Sequence, residues 1–239
     1  MKTVFFLPGH GGDPDSDRGF DGAGREEHEG INNWLTSKLM QEYLESKYIV
    51  TVYNSRPKVD DYPTIAEACA MHKDVDLVYS FHSNASLDKT VRGTEMWIAT
   101  GNAVTSQMAV ELATETAKLF GHRNRGVKDG KDYKVIKHAK ANGAKMAIMA
   151  ESGFHSNPTD ADILVGKRVQ IAELQAEIIA KHLKLEVKPV EKRELDTAEK
   201  WAVDNGIMRN EKWNEPATRS QMAWWLFDLV KKWKKGELK

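Results

Sequence analysis

The sequence contains a single cysteine, Cys69, and carries no net charge, with 35 basic and 35 acidic residues. One cysteine excludes an intrachain disulfide framework and a cysteine-based zinc site. The segment around Cys69 has a helical pattern, so we expect a small core residue there. The balanced charge provides no general field for nucleic acid or for other anionic polymers, so an anionic target would have to be recognised locally.

Long apolar runs are also missing. No stretch approaches the ~20 apolar residues of a membrane span. The apolar run near the N-terminus is about five residues long, against the ~7–15 of the apolar part of a signal peptide. We therefore expect a protein that is made in the cytoplasm, has no secretion signal and is not a membrane protein.

Strand-like and helix-like segments alternate along residues 1–185. The predicted strands are 3–7, 48–53, 76–81, 93–98 and 146–151. The predicted helices are 29–46, 64–72, 104–120, 160–166 and 168–185. The basic, glycine-containing segment 121–145 is predicted to be rich in loops. This alternation predicts an α/β fold with three αβα layers, in which a mostly parallel sheet is covered on both faces.

The composition changes after Leu185. Residues 186–195 are charged and contain proline, which is typical of a linker, and 196–239 are predicted to be a small helical module. Five of the seven tryptophans lie in this module: Trp201, Trp213, Trp224, Trp225 and Trp233. So small a unit needs large aromatics for its own core. The alternatives left open are a sugar-binding surface, docking on the first domain and self-association with a second chain.

Residues suited to metal binding or proton transfer follow three of the predicted strands. His10 lies in a glycine-rich turn after the first strand, His82 follows the third, and Glu151 ends the last. Such residues meet at the carboxyl edge of a parallel sheet. With Glu29, two histidines and a carboxylate are typical of a catalytic zinc with an open fourth position, and a further glutamate is typical of its general base.

Three of these four residues also have a plainer interpretation. His10 could be an ordinary turn residue, and His82 a hydrogen-bonded core histidine. Glu29 has rivals in Glu26, Glu27 and His28, and acidic residues favour any helix N-terminus. Glu151 is the exception: a carboxylate at the end of a buried strand is costly unless it has a partner, and a metal-bound water would be one.

Several motifs share their order and spacing with one known family. They are Gly9-His10-Gly11-Gly12, Glu29 with Asn33, Ser80-Phe81-His82-Ser83-Asn84-Ala85, Gly93-Thr94-Glu95, Arg125-Gly126-Val127-Lys128 and Glu151-Ser152-Gly153-Phe154-His155-Ser156-Asn157-Pro158. Over residues 1–185 the chain resembles the zinc-dependent N-acetylmuramoyl-L-alanine amidases of the type-3 (CwlV-like) family. The resemblance implies a twisted sheet of about six strands.

For the site, the resemblance implies one zinc ion held by His10, Glu29 and His82, with a water as fourth ligand and Glu151 as the catalytic residue. The implied reaction is hydrolysis of the amide between the lactyl group of muramic acid and L-alanine in peptidoglycan, which lyses the bacterial wall. The alternatives are a zinc peptidase acting within the stem peptide and a non-catalytic, metal-dependent wall-binding protein. His155, where the family usually has an apolar residue, is a departure.

The C-terminal module resembles a shortened S-layer-homology-type repeat. The matching segments are Trp201–Met208 and Pro216–Met222. This resemblance implies a module that binds the cell wall. A modular wall amidase without a signal peptide is similar to phage endolysins, which leave the cell through a separate holin-type membrane pore.

Overall fold

The computed structural model describes residues 1–11, 19–21 and 27–189. The chain divides into two compact units, Met1–Val187 and Lys188–Lys239. The predicted C-terminal helices, their five tryptophans and most of the predicted linker lie outside the described residues, so the C-terminal module stays a prediction.

The first unit contains one sheet and the helices that cover it. The described strands are β1 (Lys2–Pro8), β2 (Val50–Asn54), β3 (Leu77–Asn84), β4 (Thr94–Ile98), β5 (Asn124–Asp129) and β6 (Met146–Phe154). The described helices are α1 (Glu29–Lys47), α2 (Ile65–Met71), α3 (Ala103–Phe120), α4 (Lys134–Ala141), α5 (Pro158–Gly166) and α6 (Arg168–Leu183). Four of these strands are parallel in the order β2-β1-β3-β6, and β4 then pairs antiparallel with β6 and parallel with β5. The predicted α/β fold with a mostly parallel sheet is confirmed.

The two faces of the sheet have separate apolar cores. Phe6, Tyr79 and Ile148 face the larger core, which α1, α3 and α6 cover. Phe5 and Val78 face the smaller core, which α2 and α4 cover. Because the central strands are buried on both faces, their sequences are continuous apolar runs rather than alternating ones. None of the helices in the described part of the chain is long and apolar enough to cross a membrane.

The prediction of loops over 121–145 was wrong, because this segment contains β5 and α4. Strand β5 lies at the edge of the sheet, and its residues are half-buried or exposed, so it lacks the apolar pattern of the inner strands. Helix α4 has only 8 residues, and three of them are buried. Two turns of helix are too short for a clear helical period.

A buried ionic cluster holds the end of β6 against its neighbours. Asp160 is 0% exposed and accepts hydrogen bonds from Arg92 Nε at 2.6 Å and from the Phe154 N–H at 3.1 Å. The His122 ring lies 3.1 Å from the same carboxylate. Burial opposes ionisation, but these partners, His122 first, keep the pKa of Asp160 below its ordinary value.

Candidate metal centre

Strand pairing sets a row of three polar side chains across the sheet. His82 of β3 lies opposite Glu151 of β6, and Glu151 lies opposite Glu95 of β4. By the alternation of side chains along a strand, His82 and Glu151 share the sheet face of Val78 and Met149. Helices α2 and α4 pack against the apolar residues of that face.

The three predicted ligands meet beside this row. His10 lies in the turn after β1, Glu29 is the first residue of α1 and His82 belongs to β3; one ligand atom of each lies within 4.8 Å of the others. Glu29 Oε1 is 3.5 Å from His10 Nε2 and 3.3 Å from His82 Nδ1. Ligands about 2.1 Å from a tetrahedral zinc are about 3.4 Å apart, so this set fits the ion.

Glu29 is held in its ionised form. Burial would raise its pKa, but the hydrogen bond and charge of His82, with the charge of His10, lower it to about 2. Its Oε1 also accepts hydrogen bonds from the Ser83 N–H at 2.9 Å and from Asn33 Nδ2 at 3.5 Å. A metal ligand must be deprotonated, so this carboxylate is ready to bind a cation.

Two glycines allow the backbone to approach these side chains. A Cβ on Gly9 would lie 2.1 Å from the His82 ring, and one on Gly19, whose φ is +71°, would lie 2.5 Å from Glu29 Oε2. The His10 turn is held from behind by Arg56, which is 1% exposed and donates from Nη1 to the His10 carbonyl at 2.5 Å. Sequence reasoning missed Arg56, because an arginine following a strand resembles an ordinary loop residue.

The rivals of Glu29 differ in their surroundings. Glu27 pairs with Arg168, away from the histidines. Glu26 lies outside the described residues. Among the described acidic residues, Glu29 is therefore the one that the fold brings to His10 and His82.

Glu151 has the environment of a group that exchanges protons. Its Oε2 is covered from solvent, and no described residue forms a hydrogen bond with that atom. Burial, together with the negative charges of Glu29 and Glu95, raises its pKa to about 8 against the opposing effect of His82. An orphaned carboxylate oxygen beside a three-ligand cluster fits a bound water as its missing partner.

Glu95, in contrast to Glu151, is held in its ionised form. It is 2% exposed and accepts hydrogen bonds from Lys128 Nζ at 2.6 Å, Arg125 Nε at 2.7 Å and Asn84 Nδ2 at 3.0 Å. Burial opposes ionisation, but Lys128 and Arg125 lower its pKa. Neighbouring carboxyls whose pKa values are pushed apart are typical of an acid–base site. Sequence reasoning gave Glu95 no role. The charges of Glu95, Arg125 and Lys128 near an apolar strand were a signal that could have identified it.

His155 lies behind the cluster and does not belong to it. It is 0% exposed, and its Nδ1 is 2.6 Å from Ser83 Oγ. Ser83 in turn donates its N–H to Glu29. The histidine therefore supports the β3 segment that holds the carboxylate.

Comparison with known proteins shows the family of the chain. A family model described as N-acetylmuramoyl-L-alanine amidase (Amidase_3) matches residues 4–181. The chain belongs to this amidase family. A search of the curated proteins finds no significant match to it.

Several solved structures share the fold. The catalytic domain of CwlV, an N-acetylmuramoyl-L-alanine amidase from Bacillus (Paenibacillus) polymyxa var. colistinus, is 22% identical with a TM-score of 0.67, over 78% of this chain and 100% of that one. An N-acetylmuramoyl-L-alanine amidase from Clostridium difficile 630 is 22% identical with a TM-score of 0.65, over 77% and 97%. Cwp6 from Clostridium difficile is 26% identical with a TM-score of 0.63, over 76% of this chain and 29% of that one.

Proposed function

We propose that this chain is a zinc-dependent N-acetylmuramoyl-L-alanine amidase that hydrolyses the amide between the lactyl group of muramic acid and L-alanine in peptidoglycan. The observation that carries the proposal is the cluster of His10, Glu29 and His82 beside the buried carboxyl of Glu151. Membership of the amidase family supports the same reaction.

In this proposal His10, Glu29 and His82 hold the zinc. When bound, the ion would supply a Lewis acid that activates a water and polarises the amide carbonyl. The carboxylate of Glu29 provides the negative charge of the ligand set, and the Ser83 N–H fixes its orientation. Hydrogen bonds that orient a metal ligand in this way usually tune the affinity for the metal.

Glu151 carries the proton transfers. Its free Oε2 accepts a proton from the attacking water and returns it to the leaving amine of L-alanine. In the metal-free chain burial raises the pKa of this carboxyl to about 8, and a cation bound beside it would favour the carboxylate form that accepts the proton. No covalent intermediate is required. Cys69 is buried in α2, and the Ser152 hydroxyl accepts a hydrogen bond from Gln175, so neither forms a nucleophile–base pair.

The deciding experiment is a turbidity assay on bare peptidoglycan with the full chain. Exhaustive chelation should abolish clearing, and added zinc should restore it. If clearing persists in protein that elemental analysis shows to be free of metal, the metal mechanism is refuted.

Product analysis separates this reaction from its alternatives. A free lactyl carboxylate together with a new N-terminal L-alanine supports the amidase. New termini within the stem peptide would identify a zinc peptidase instead. Binding to walls without any new terminus would identify a non-catalytic, metal-dependent binding protein.

We also propose that the chain acts as a phage endolysin, made in the cytoplasm and released through a holin-type pore. In this proposal residues 196–239 bind the wall. The support is the tryptophan-rich composition of the tail and its resemblance to an S-layer-homology-type repeat. Expression in a susceptible host with and without a pore-forming partner tests the role. Lysis that needs the pore supports it, and equal lysis without the pore contradicts it.

A further inference from the structure

Lys128 of β5 lies on the same sheet face as the catalytic row but has no part in the proposed reaction. Its Nζ is 2.6 Å from Glu95 Oε2 and 4.8 Å from the centre of the Trp97 ring. Glu95 is the register partner of Glu151. The lysine therefore stands beside the catalytic carboxyl, on the side away from the metal ligands.

The sheet order fixes which part of a substrate would reach Lys128, and this step rests on the proposed function. Across the strands β1-β3-β6-β4-β5 the metal ligands come first, Glu151 lies in the middle and Lys128 comes last. Glu151 must deliver its proton to the leaving amine, so the peptide begins at Glu151 and the muramoyl group lies over the metal ligands. The peptide then extends over β4 and β5.

The distances agree with this path. Neighbouring strands are about 4.8 Å apart, so β5 lies roughly 10 Å from β6. Two extended residues span about 7 Å. The side chain of Lys128 reaches back to Glu95 on β4, which brings its ammonium within range of a group on the second residue of the stem peptide.

Lys128 has hydrogen-bonding capacity to spare. An ammonium has three donors, and Glu95 takes one of them. Glu95 does not depend on Lys128, because it keeps Arg125 Nε at 2.7 Å and Asn84 Nδ2 at 3.0 Å. Two cations thus share one carboxylate. The Lys128 side chain is 33% exposed, so solvent and ligands can reach it.

Aromatic rings lie beside the Lys128 ammonium. The Tyr133 ring, at the start of α4, lies 4.7 Å from the Trp97 ring, and the residue is 42% exposed. Burial, together with the charges of Glu151 and Glu95, raises the pKa of Tyr133, so its hydroxyl stays neutral. Trp97 therefore contacts both the Lys128 ammonium and the Tyr133 ring.

We propose that Lys128 determines specificity by binding a free carboxylate on the second residue of the stem peptide. Glu95 and the Trp97 ring hold the ammonium in place before substrate arrives, so little side-chain freedom is lost on binding. A substrate whose carboxylate is amidated forfeits the ionic hydrogen bond.

The test compares two synthetic muramoyl tripeptides that differ only in carrying a carboxylate or a carboxamide at that residue. The zinc-loaded wild-type chain should show a kcat/KM about tenfold higher for the carboxylate, as expected of one partly exposed charged hydrogen bond. Lys128→Met should bring the two values together, and Lys128→Arg should keep most of the preference. Lys131→Met is the matched control, because that lysine is 68% exposed and pairs with Asp129 at 3.8 Å.

The outcomes are distinct. Equal rates for the two substrates with the wild-type chain, or an unchanged preference in Lys128→Met, would overturn the proposal for Lys128. Failure of the wild-type chain to release an N-terminal L-alanine from either substrate would instead refute the proposed function. Zinc content and thermal unfolding of each variant exclude misfolding, and the wild-type ratio decides the matter even if Lys128→Met is unstable.

Discussion

Replacing Glu151 with glutamine should stabilise the metal-free protein at neutral pH and also remove most of its activity. The pKa of this buried carboxyl is raised from 4.5 to about 8, so ionisation in the folded state costs free energy. A glutamine of nearly the same shape cannot ionise, so it avoids that cost. The two effects arise from one property of the site, a carboxyl held where its charge is disfavoured.

The size of the effect follows from the pKa shift. A carboxyl whose pKa is raised on folding does not lower the stability of the folded state below pH 4.5, its unfolded pKa. Above that pH the loss of stability grows until the pH reaches the folded pKa near 8. At pH 7 the difference is about 2.5 units at ~1.4 kcal/mol each, or roughly 3 kcal/mol. For a protein of this size that corresponds to a melting temperature about 6–12 °C higher for Glu151→Gln.

Thermal unfolding of chelator-treated protein at pH 4 and pH 7 measures this difference. Glu151→Gln should exceed the wild type at pH 7 and match it at pH 4. Glu115→Gln, at a partly exposed position of α3, controls for the loss of one surface charge. A difference that does not change with pH would refute the reasoning. After zinc loading, Glu151→Gln and Glu151→Ala should keep the metal but lose ~10²–10⁴-fold in rate; loss of zinc would make Glu151 a ligand.

Three further predictions concern other parts of the chain. Glu29→Ala should lose zinc measured by elemental analysis, whereas Glu26→Ala and Glu27→Ala should retain it; a Glu29 variant that binds zinc as tightly as the wild type contradicts the assignment. Asp160→Asn should lower the free energy of unfolding by about 3 kcal/mol, because it leaves the partly buried Arg92 guanidinium without its carboxylate. The pKa of Asp160 is lowered on folding, so this loss should appear in denaturant titrations above pH 4 and shrink as the pH falls further; a pH-independent loss argues against the ionic cause. Truncation after Leu185 should leave a folded, zinc-binding domain with weaker wall binding in a pull-down, and an unstable domain would show that the boundary is misplaced.

The sequence by itself determined the elements whose burial is strong and local. Strands β1, β3 and β6 are apolar on both faces, so their patterns are visible without knowledge of their neighbours. The residues that follow or end them, His10, His82 and Glu151, stand out as polar groups after apolar runs. The α/β fold and the four site candidates, including Glu29, were therefore within reach of sequence reasoning.

The tertiary structure alone decided which of these groups are neighbours and in what state. It placed β6 between β3 and an antiparallel β4, which puts Glu151 between His82 and Glu95. It also distinguished Glu29 from Glu27. It brought Lys128 beside the catalytic row, which the sequence did not reveal because β5 is an edge strand with no apolar pattern. The physical reason is that proximity across a sheet depends on strand order and register between distant segments, which local periodicity does not encode. The protonation of each carboxyl then follows from burial and charged partners that only the folded chain brings together.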